Sequence, residues 1–406
     1  MNINRRNMIL GSVGVGATLL NLHDPLIAAQ LKGNRSIIWV WLGGGPTHFE
    51  TFNASSNKSG FESVIGQLEH QDSPIKPGGL WHSLMAQRHS LNVVGNFSHT
   101  DASHSHATHW MNGAHYNPDR PDTSVSKYPS HGSITAAMFG VTNNVGVPTY
   151  VSQGKIDGDA PAWLGGAFKG FDPSAKDNLS PRVEVDRFTT RRNLLEQLDQ
   201  VAIASDSGVS ANKYRAQAYD VVLGDAKKAF DDAEWAIAKS VYGDSDIGRQ
   251  LWLAQRLVSF GSRFVTIHYG GWDMHSDIKK GLENLVPKLD GALGATIKSL
   301  TEQGMLKDTM IIVTGEFGRT KYNATNGRDH WPSITPLLIA GGDTVYNRVI
   351  GEPDEYNYVP KNSSFGPIDL QRTMFDHLGI DISTQRVDNG GRPRYLLEGV
   401  SKNILS

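Results

Sequence analysis

The chain of 406 residues contains no cysteine, 15 histidines and 43 glycines, and carries a formal net charge of −2. Without thiols it has no disulfides, thiolate metal sites or cysteine nucleophiles, and the near-balanced charge argues against nucleic acid or an anionic membrane surface as the main partner. A chain of this length buries a sizeable core without covalent staples.

Near the N-terminus, Arg5 and Arg6 precede an apolar stretch running to about Leu22, and Ile27-Ala28-Ala29 offers a small-residue cleavage site before Gln30. Residues 1–30 are therefore expected to be a twin-arginine export signal, with the twin-arginine translocase as a transient partner and a periplasmic or secreted destination. The apolar run is shorter than the roughly 20 residues that span a bilayer, and no later segment is long and apolar enough to do so.

Residues 36–42, Ser-Ile-Ile-Trp-Val-Trp-Leu, form a nearly continuous apolar run stopped by Gly43-Gly44-Gly45-Pro46, the pattern of a strand buried on both faces. Residues 90–94 are a second candidate strand, and 102–112 can start a helix with Ser103 at or near its N-cap. Residues 148–181, rich in Gly and Pro, are expected to be irregular. Residues 187–238 are helical in pattern and predict a cap or insertion, reaching to about 245, packed beside a sheet. Leu251, Ala254, Leu257 and Val258 share one helical face, as do Leu282, Leu285, Val286, Leu289, Leu293 and Ile297. Residues 263–269, 309–314 and 336–340 read as further strands, 370–378 as a late helix, and the end from Asp388 as loop. Helix and strand in alternation imply a layered α/β sheet whose sites gather beyond the strand ends.

Several of those ends carry chemistry. Gly271-Trp272-Asp273-Met274-His275 follows a predicted strand, and in an extended segment residues two apart point the same way, so Asp273 and His275 can converge on one ion. Alone, such a pair would more simply be solvated. Glu316 stands at the end of the 309–314 strand with Arg319 close behind, a candidate ligand beside a cation able to hold an anionic oxygen bidentately or to pair with Glu316. In Gly327-Arg328-Asp329-His330-Trp331-Pro332, expected to be a loop, His330 is a candidate ligand and Asp329 a ligand or the group that orients one. His99, Asp101, Ser103, His104, Ser105, His106, His109 and His115 crowd one segment, where Ser103 is either a plain N-cap or a nucleophile at a helix N-terminus. His48 and Glu50, two apart just past the first strand, repeat the spacing of Asp273 and His275. Nitrogen and oxygen ligands without sulfur favour Zn²⁺ or Mn²⁺ over Mg²⁺ or Ca²⁺, and their number suggests two ions rather than one.

In order, the paired arginines, Leu42-Gly43-Gly44-Gly45-Pro46-Thr47-His48, Gly271 to His275, Gly315-Glu316-Phe317-Gly318-Arg319-Thr320 and Gly327 to Pro332 resemble a bacterial family called domain of unknown function 1501, placed with the alkaline phosphatases and sulfatases. The resemblance covers almost all of residues 31–406. It implies a three-layer α/β/α sandwich with a central, mostly parallel sheet and a metal site at the strand ends. Residues 102–113 are similar to the nucleophile helix of alkaline phosphatases, whose serine falls on Ser103; His330 matches a late histidine ligand and Glu316 an aspartate ligand. Gly44 stands where those enzymes carry a ligand aspartate, and Phe317 where they carry histidine, leaving His48, Glu50, His104 and His106 as the available replacements. No formylglycine motif is visible.

These features predict an exported metal-dependent hydrolase of a phosphate ester, less readily of a sulfate ester, with a small-molecule or glycan substrate. The alternative, motivated by Gly44 and Phe317, is a non-catalytic exported binding or scaffold protein that keeps the fold.

Overall fold

The computed structural model describes residues 34–53, 56–115, 126–174, 226–388 and 390–406. The expected signal at 1–30 and the 187–225 part of the expected insertion lie outside the described residues. The strands are β1 (Ser36–Gly43), β2 (Leu91–Val94), β3 (Tyr150–Gln153), β4 (Phe264–Gly270), β5 (Thr309–Thr314), β6 (Gly318–Tyr322), β7 (Arg328–Trp331), β8 (Leu337–Gly341), β9 (Arg348–Ile350), β10 (Gln385–Val387) and β11 (Pro393–Tyr395). The α-helices are α1 (His82–Ala86), α2 (His104–Gly113), α3 (His131–Phe139), α4 (Ala226–Ala229), α5 (Trp235–Tyr242), α6 (Asp246–Ser259), α7 (Ile278–Glu302) and α8 (Pro367–Leu378).

Seven strands form the central sheet in the order β3-β4-β1-β5-β8-β2-β9. Every neighbouring pair is parallel except those of β8, which runs antiparallel to β5 and β2. The apolar run of β1 explains the layering, because its alternate residues serve two cores. Ile38, Val40 and Leu42 pack with buried residues of α1, α6 and α7, whereas Ile37, Trp39 and Trp41 pack with Met111 of α2, Ile134 of α3 and Leu370 of α8. Helices therefore cover both faces, and the fold is a mixed α/β architecture around a mostly parallel sheet.

The reversal of β8 has a local cause. After β5 the chain has no crossover helix; it makes the antiparallel ribbon β6–β7 at the C-terminal end of the sheet and re-enters from that same end. Residues 327–332 are thus mainly a strand rather than a loop, and the ribbon stands over the ends of β1, β4 and β5. Two further expectations need correction. The Gly- and Pro-rich stretch 148–181 contains β3, edge strand of the sheet, and the tail after Asp388 contributes β11 to a small hairpin with β10. In the described part of the expected insertion, α4 and α5 pack against the α6–α7 side through Ala229 and Tyr242. Among the described residues no helix is long and apolar enough to cross a membrane.

Candidate metal centre

Asp273 and His275 follow the end of β4, where the Met274 N–H donates to the Trp272 carbonyl in a three-residue turn about Asp273 rather than in the extended segment expected, and the neighbouring Trp272 and Met274 are buried. The Trp272 N–H donates to the Gly43 carbonyl at 3.1 Å, which continues the sheet and aims both polar side chains outward. There His275 Nε2 lies 2.9 Å from Asp273 Oδ1 and 3.1 Å from His330 Nε2, and His330 Nε2 lies 3.3 Å from Asp273 Oδ1. The other ring nitrogens fix the tautomers. His275 Nδ1 donates to Asp329 Oδ1 at 2.7 Å, and His330 Nδ1 donates to the Ala102 carbonyl at 2.8 Å. Both acceptors lack protons, so in the neutral rings both Nε2 lone pairs face each other and a carboxylate. The Arg319 guanidinium meets this set in part, with Nη2 2.7 Å from Asp273 Oδ1 and Nη1 3.5 Å from His275 Nε2, and the remaining lone pairs suit a metal cation.

His104, first residue of α2, closes another side: its Nε2 is 3.3 Å from Asp273 Oδ2 and its Nδ1 is 2.7 Å from Glu316 Oε1. One ligand atom each from His104, Asp273 and His330 lies within 4.8 Å of the others. The short Nδ1 contact is the firm one; the Nε2 contact is a charge pairing without hydrogen-bond geometry, and that nitrogen is otherwise unpartnered. The Glu316 hydrogen bond raises the His104 pKa, against burial, which lowers it. Burial resists ionisation of Asp273, but the Arg319 hydrogen bond and charge outweigh it and hold the carboxyl at about 2. Burial lowers the His330 pKa, and the His275 hydrogen bond lowers that of Asp329.

Arg319 supports the centre rather than facing a substrate. Its side chain is 0% exposed; Nε donates to the Gly45 carbonyl at 2.7 Å, Nη1 to the Arg328 carbonyl at 3.0 Å, and Nη2 to Asp273 Oδ1 at 2.7 Å and to the Gly44 carbonyl. It makes no hydrogen bond to Glu316, which instead accepts from the Gly44 N–H at 2.9 Å. Gly44 explains its own departure from the phosphatase pattern: at φ +115° an added Cβ would lie 2.5 Å from the Asp273 backbone nitrogen. No side chain fits where the backbone must pass.

Other expected ligands fall outside the cluster. His48 and Glu50 occupy a helical turn, not an extended segment. Glu50 is wholly buried and bonded to Arg328 Nη2 at 2.8 Å, Thr47 Oγ1 and the Val64 N–H. His48 is also buried, its Nε2 donating to the Asn357 carbonyl at 2.8 Å and its Nδ1 accepting the Arg319 N–H at 3.3 Å. Both are buried and held by other groups, away from Asp273, His275 and His330. His106 lies beside Asp101, 3.5 Å away. Ser103 is the N-cap residue of α2, exposed, and its hydroxyl makes no capping hydrogen bond. Sequence also gives no hint of the Ala102 carbonyl, which sets the His330 tautomer.

Solved structures similar to this chain include Ps i-CgsB, with a TM-score of 0.45 and 10% identity over 92% of this chain and 75% of that one. The lipoteichoic acid synthase LtaP from Listeria monocytogenes has a TM-score of 0.42 and 12% identity, with 92% and 76% covered. The phosphonate monoester hydrolase SpPMH from Silicibacter pomeroyi has a TM-score of 0.40 and 11% identity, with 86% and 74% covered. No curated protein matches the chain. The family described as a protein of unknown function, DUF1501, matches residues 34–406, a span that carries the whole described sheet and every group of the metal centre, and the chain belongs to that family.

Proposed function

We propose that the protein is a metal-dependent hydrolase of phosphate esters, less readily of sulfate esters, that acts on a small-molecule or glycan substrate after twin-arginine export to the periplasm or beyond. The observation that carries this proposal is the convergence of Asp273 Oδ1 with the Nε2 atoms of His275 and His330, each ring's other nitrogen being already committed. Edges of 2.9 to 3.3 Å fit the group: four ligands at about 2.0–2.1 Å in a tetrahedron are separated by roughly 3.4 Å. Imidazole and carboxylate donors suit Zn²⁺ or Mn²⁺.

A divalent ion held there supplies Lewis-acid polarisation of an ester oxygen. Asp273, His275 and His330 hold it, His104 adds a lone pair on giving up its proton, and Asp329, Ala102 and Arg319 keep those groups aimed. Ser103, exposed and free of capping duty, is the candidate nucleophile. The N-terminal N–H groups of α2 favour the negative oxygens of an ester beside it.

The test is elemental analysis joined to a panel of phospho- and sulfo-esters. Protein purified and loaded with Zn²⁺ or Mn²⁺ should hold metal and hydrolyse at least one panel member, and Asp273→Ala should lose both properties. Protein that holds no metal, with stability indifferent to Asp273→Ala, would sink the proposal. The full commitment of the Arg319 donors favours a second possibility, a metal-bearing binding or scaffold protein. In that case metal is retained, yet no ester is turned over in a way that Asp273→Ala abolishes.

A further inference from the structure

Ser103 and the Ala102 carbonyl both take their direction from the short loop that leads into α2. We propose that Asp101 is the positioning residue of this loop: its carboxylate holds the Ser103 backbone, aims the Ala102 carbonyl at His330 and leaves the Ser103 hydroxyl free for the substrate. The proposal rests on the metal-dependent reading above, and adds to it a residue that acts through Ser103 and His330 rather than by contact with the reacting atoms.

An N-cap serine ordinarily turns its hydroxyl onto the N–H of the second or third helical residue. Ser103 has the extended backbone of an N-cap, φ −90° and ψ 126°, yet its hydroxyl makes no such bond. Asp101 holds the chain one step earlier. Its Oδ1 accepts the Ser103 N–H at 2.8 Å, which closes a turn around Ala102. From that turn the Ala102 carbonyl accepts the His330 Nδ1 proton at 2.8 Å, and the Ser103 carbonyl accepts the Ala107 N–H at 2.9 Å to open the helix. One side chain therefore fixes both the group that sets the His330 tautomer and the backbone that carries the candidate nucleophile.

Asp101 is itself anchored. It is buried, and its N–H donates to His99 Nδ1 at 3.2 Å, while His99 Nε2 donates to the Glu316 carbonyl at 2.5 Å. A ring that accepts at one nitrogen and donates at the other is neutral and held in one tautomer. The His99 N–H donates to the Pro332 carbonyl at 3.1 Å, so the loop is pinned to the chain just past β5 and just past β7. The second carboxylate oxygen, Oδ2, lies 3.5 Å from His106 Nδ1 in the first turn of α2. Asp101 thus ties the segments that bring Glu316 and His330 to the helix that brings His104. The turn needs an acceptor one methylene from the backbone, which aspartate and asparagine supply and glutamate does not.

The experiment compares Asp101→Asn, Asp101→Glu and Asp101→Ala in the whole folded chain, each checked for native circular dichroism. Asparagine keeps the accepting oxygen and loses the charge; glutamate keeps the charge and displaces the oxygen. In metal-free protein with isotope-labelled histidine, nitrogen NMR should show His330 protonated at Nδ1 in wild type and Asp101→Asn, and shifted toward the Nε2–H form in Asp101→Glu and Asp101→Ala. With Zn²⁺ loaded and a responsive ester from the panel, the glutamate and alanine variants should lose about 10- to 100-fold in kcat with KM little changed, and the asparagine variant should stay near wild type. A carboxylate acting by charge alone gives the reverse order for asparagine and glutamate. One that serves folding alone lowers the melting temperature with tautomer and kcat unchanged. Either result overturns the proposal, and if glutamate and alanine prevent folding, loss of the tautomer or of kcat in Asp101→Asn overturns it as well. Wild type that neither holds metal nor turns over an ester overturns the proposed function instead, and the tautomer comparison still decides the role of Asp101.

Discussion

His275 and His330 are suited to the proposed ligand role through what holds their far nitrogens, not through their own identity. Asp329 Oδ1 and the Ala102 carbonyl each take an Nδ1 proton, and each thereby turns an Nε2 lone pair inward. Asp329 is exposed, so its contribution to folding is small, while the proposed metal affinity should depend on it strongly. Asp329→Asn should weaken binding of the ion by about 10- to 100-fold and shift the urea midpoint little; a competition titration with a chromophoric chelator measures the first effect. Glu50 shows the opposite case. It and Arg328 form an ion pair with both side chains 0% exposed, and Arg328→Met would strand a buried carboxylate. The expected cost is about 3–5 kcal/mol in urea unfolding, with metal content unchanged in the folded fraction. Spacing alone paired Glu50 with His48 as it paired Asp273 with His275, because a local pattern is blind to a partner 278 residues away. Asp273 and His275 were legible because they alternate with the apolar, buried Trp272 and Met274, a periodicity that sequence carries directly.

At the scale of elements, legibility followed apolar content. β1, β5 and β8 are largely apolar strands buried on both faces, β4 is buried over its first four residues, and α6 and α7 show unbroken helical spacing, so sequence located all six. β7 was missed because its four residues, Arg-Asp-His-Trp, are spent on chemistry: Arg328 fills a buried pair, Asp329 and His330 face the metal centre, and Trp331 stacks on Tyr358. β3 was missed because four residues between glycines and prolines carry no period long enough to read. Elements are also joined by side chains that sequence does not mark. Asp290, within α7, accepts from the Ser83 and Leu84 N–H groups at 2.8 Å each and so caps α1 from across the core. Asp290→Ala removes both bonds and should lower stability by about 1–2 kcal/mol, in the range of a lost N-cap. Unfolding monitored by circular dichroism checks this, and an unchanged midpoint would mean that solvent replaces the cap at no cost. Metal content should not respond, since α1 lies on the sheet face opposite α2.

For the molecule as a whole, the buried histidines and His104 have opposite consequences for pH. His48, His99, His131 and His377 are buried and neutral; burial lowers His48 to about 3 and the other three to about 4, against hydrogen bonds to backbone carbonyls that oppose the shift only in part. In the unfolded chain the same rings titrate near 6.5. Between those values the unfolded state binds more protons than the folded state, so their contribution to stability is intact above about 6.5 and falls as pH drops toward 4. Each ring costs about 2 kcal/mol at pH 5, from roughly 1.4 kcal/mol per pH unit over the interval below 6.5. His104 works in the other direction in metal-free protein: Glu316 raises its pKa, so its stabilisation is present below the unfolded value and is lost as pH rises through the folded one. Asp273, held down at about 2, is stabilising above the unfolded carboxyl pKa and loses that contribution only in stronger acid, below this window. The four buried rings, joined by His115, His268 and His330, whose pKa values burial also lowers, outnumber His104, so metal-free protein should melt lower at pH 5 than at pH 7, with net proton uptake on unfolding. Metal ought to steepen the loss, because a bound ion deprotonates His104 and adds ligand protonation to the acid side. Melting temperatures at the two pH values, with and without Zn²⁺, measure both effects; equal values at pH 5 and 7 in metal-free protein would mean that the buried rings accept protons in place.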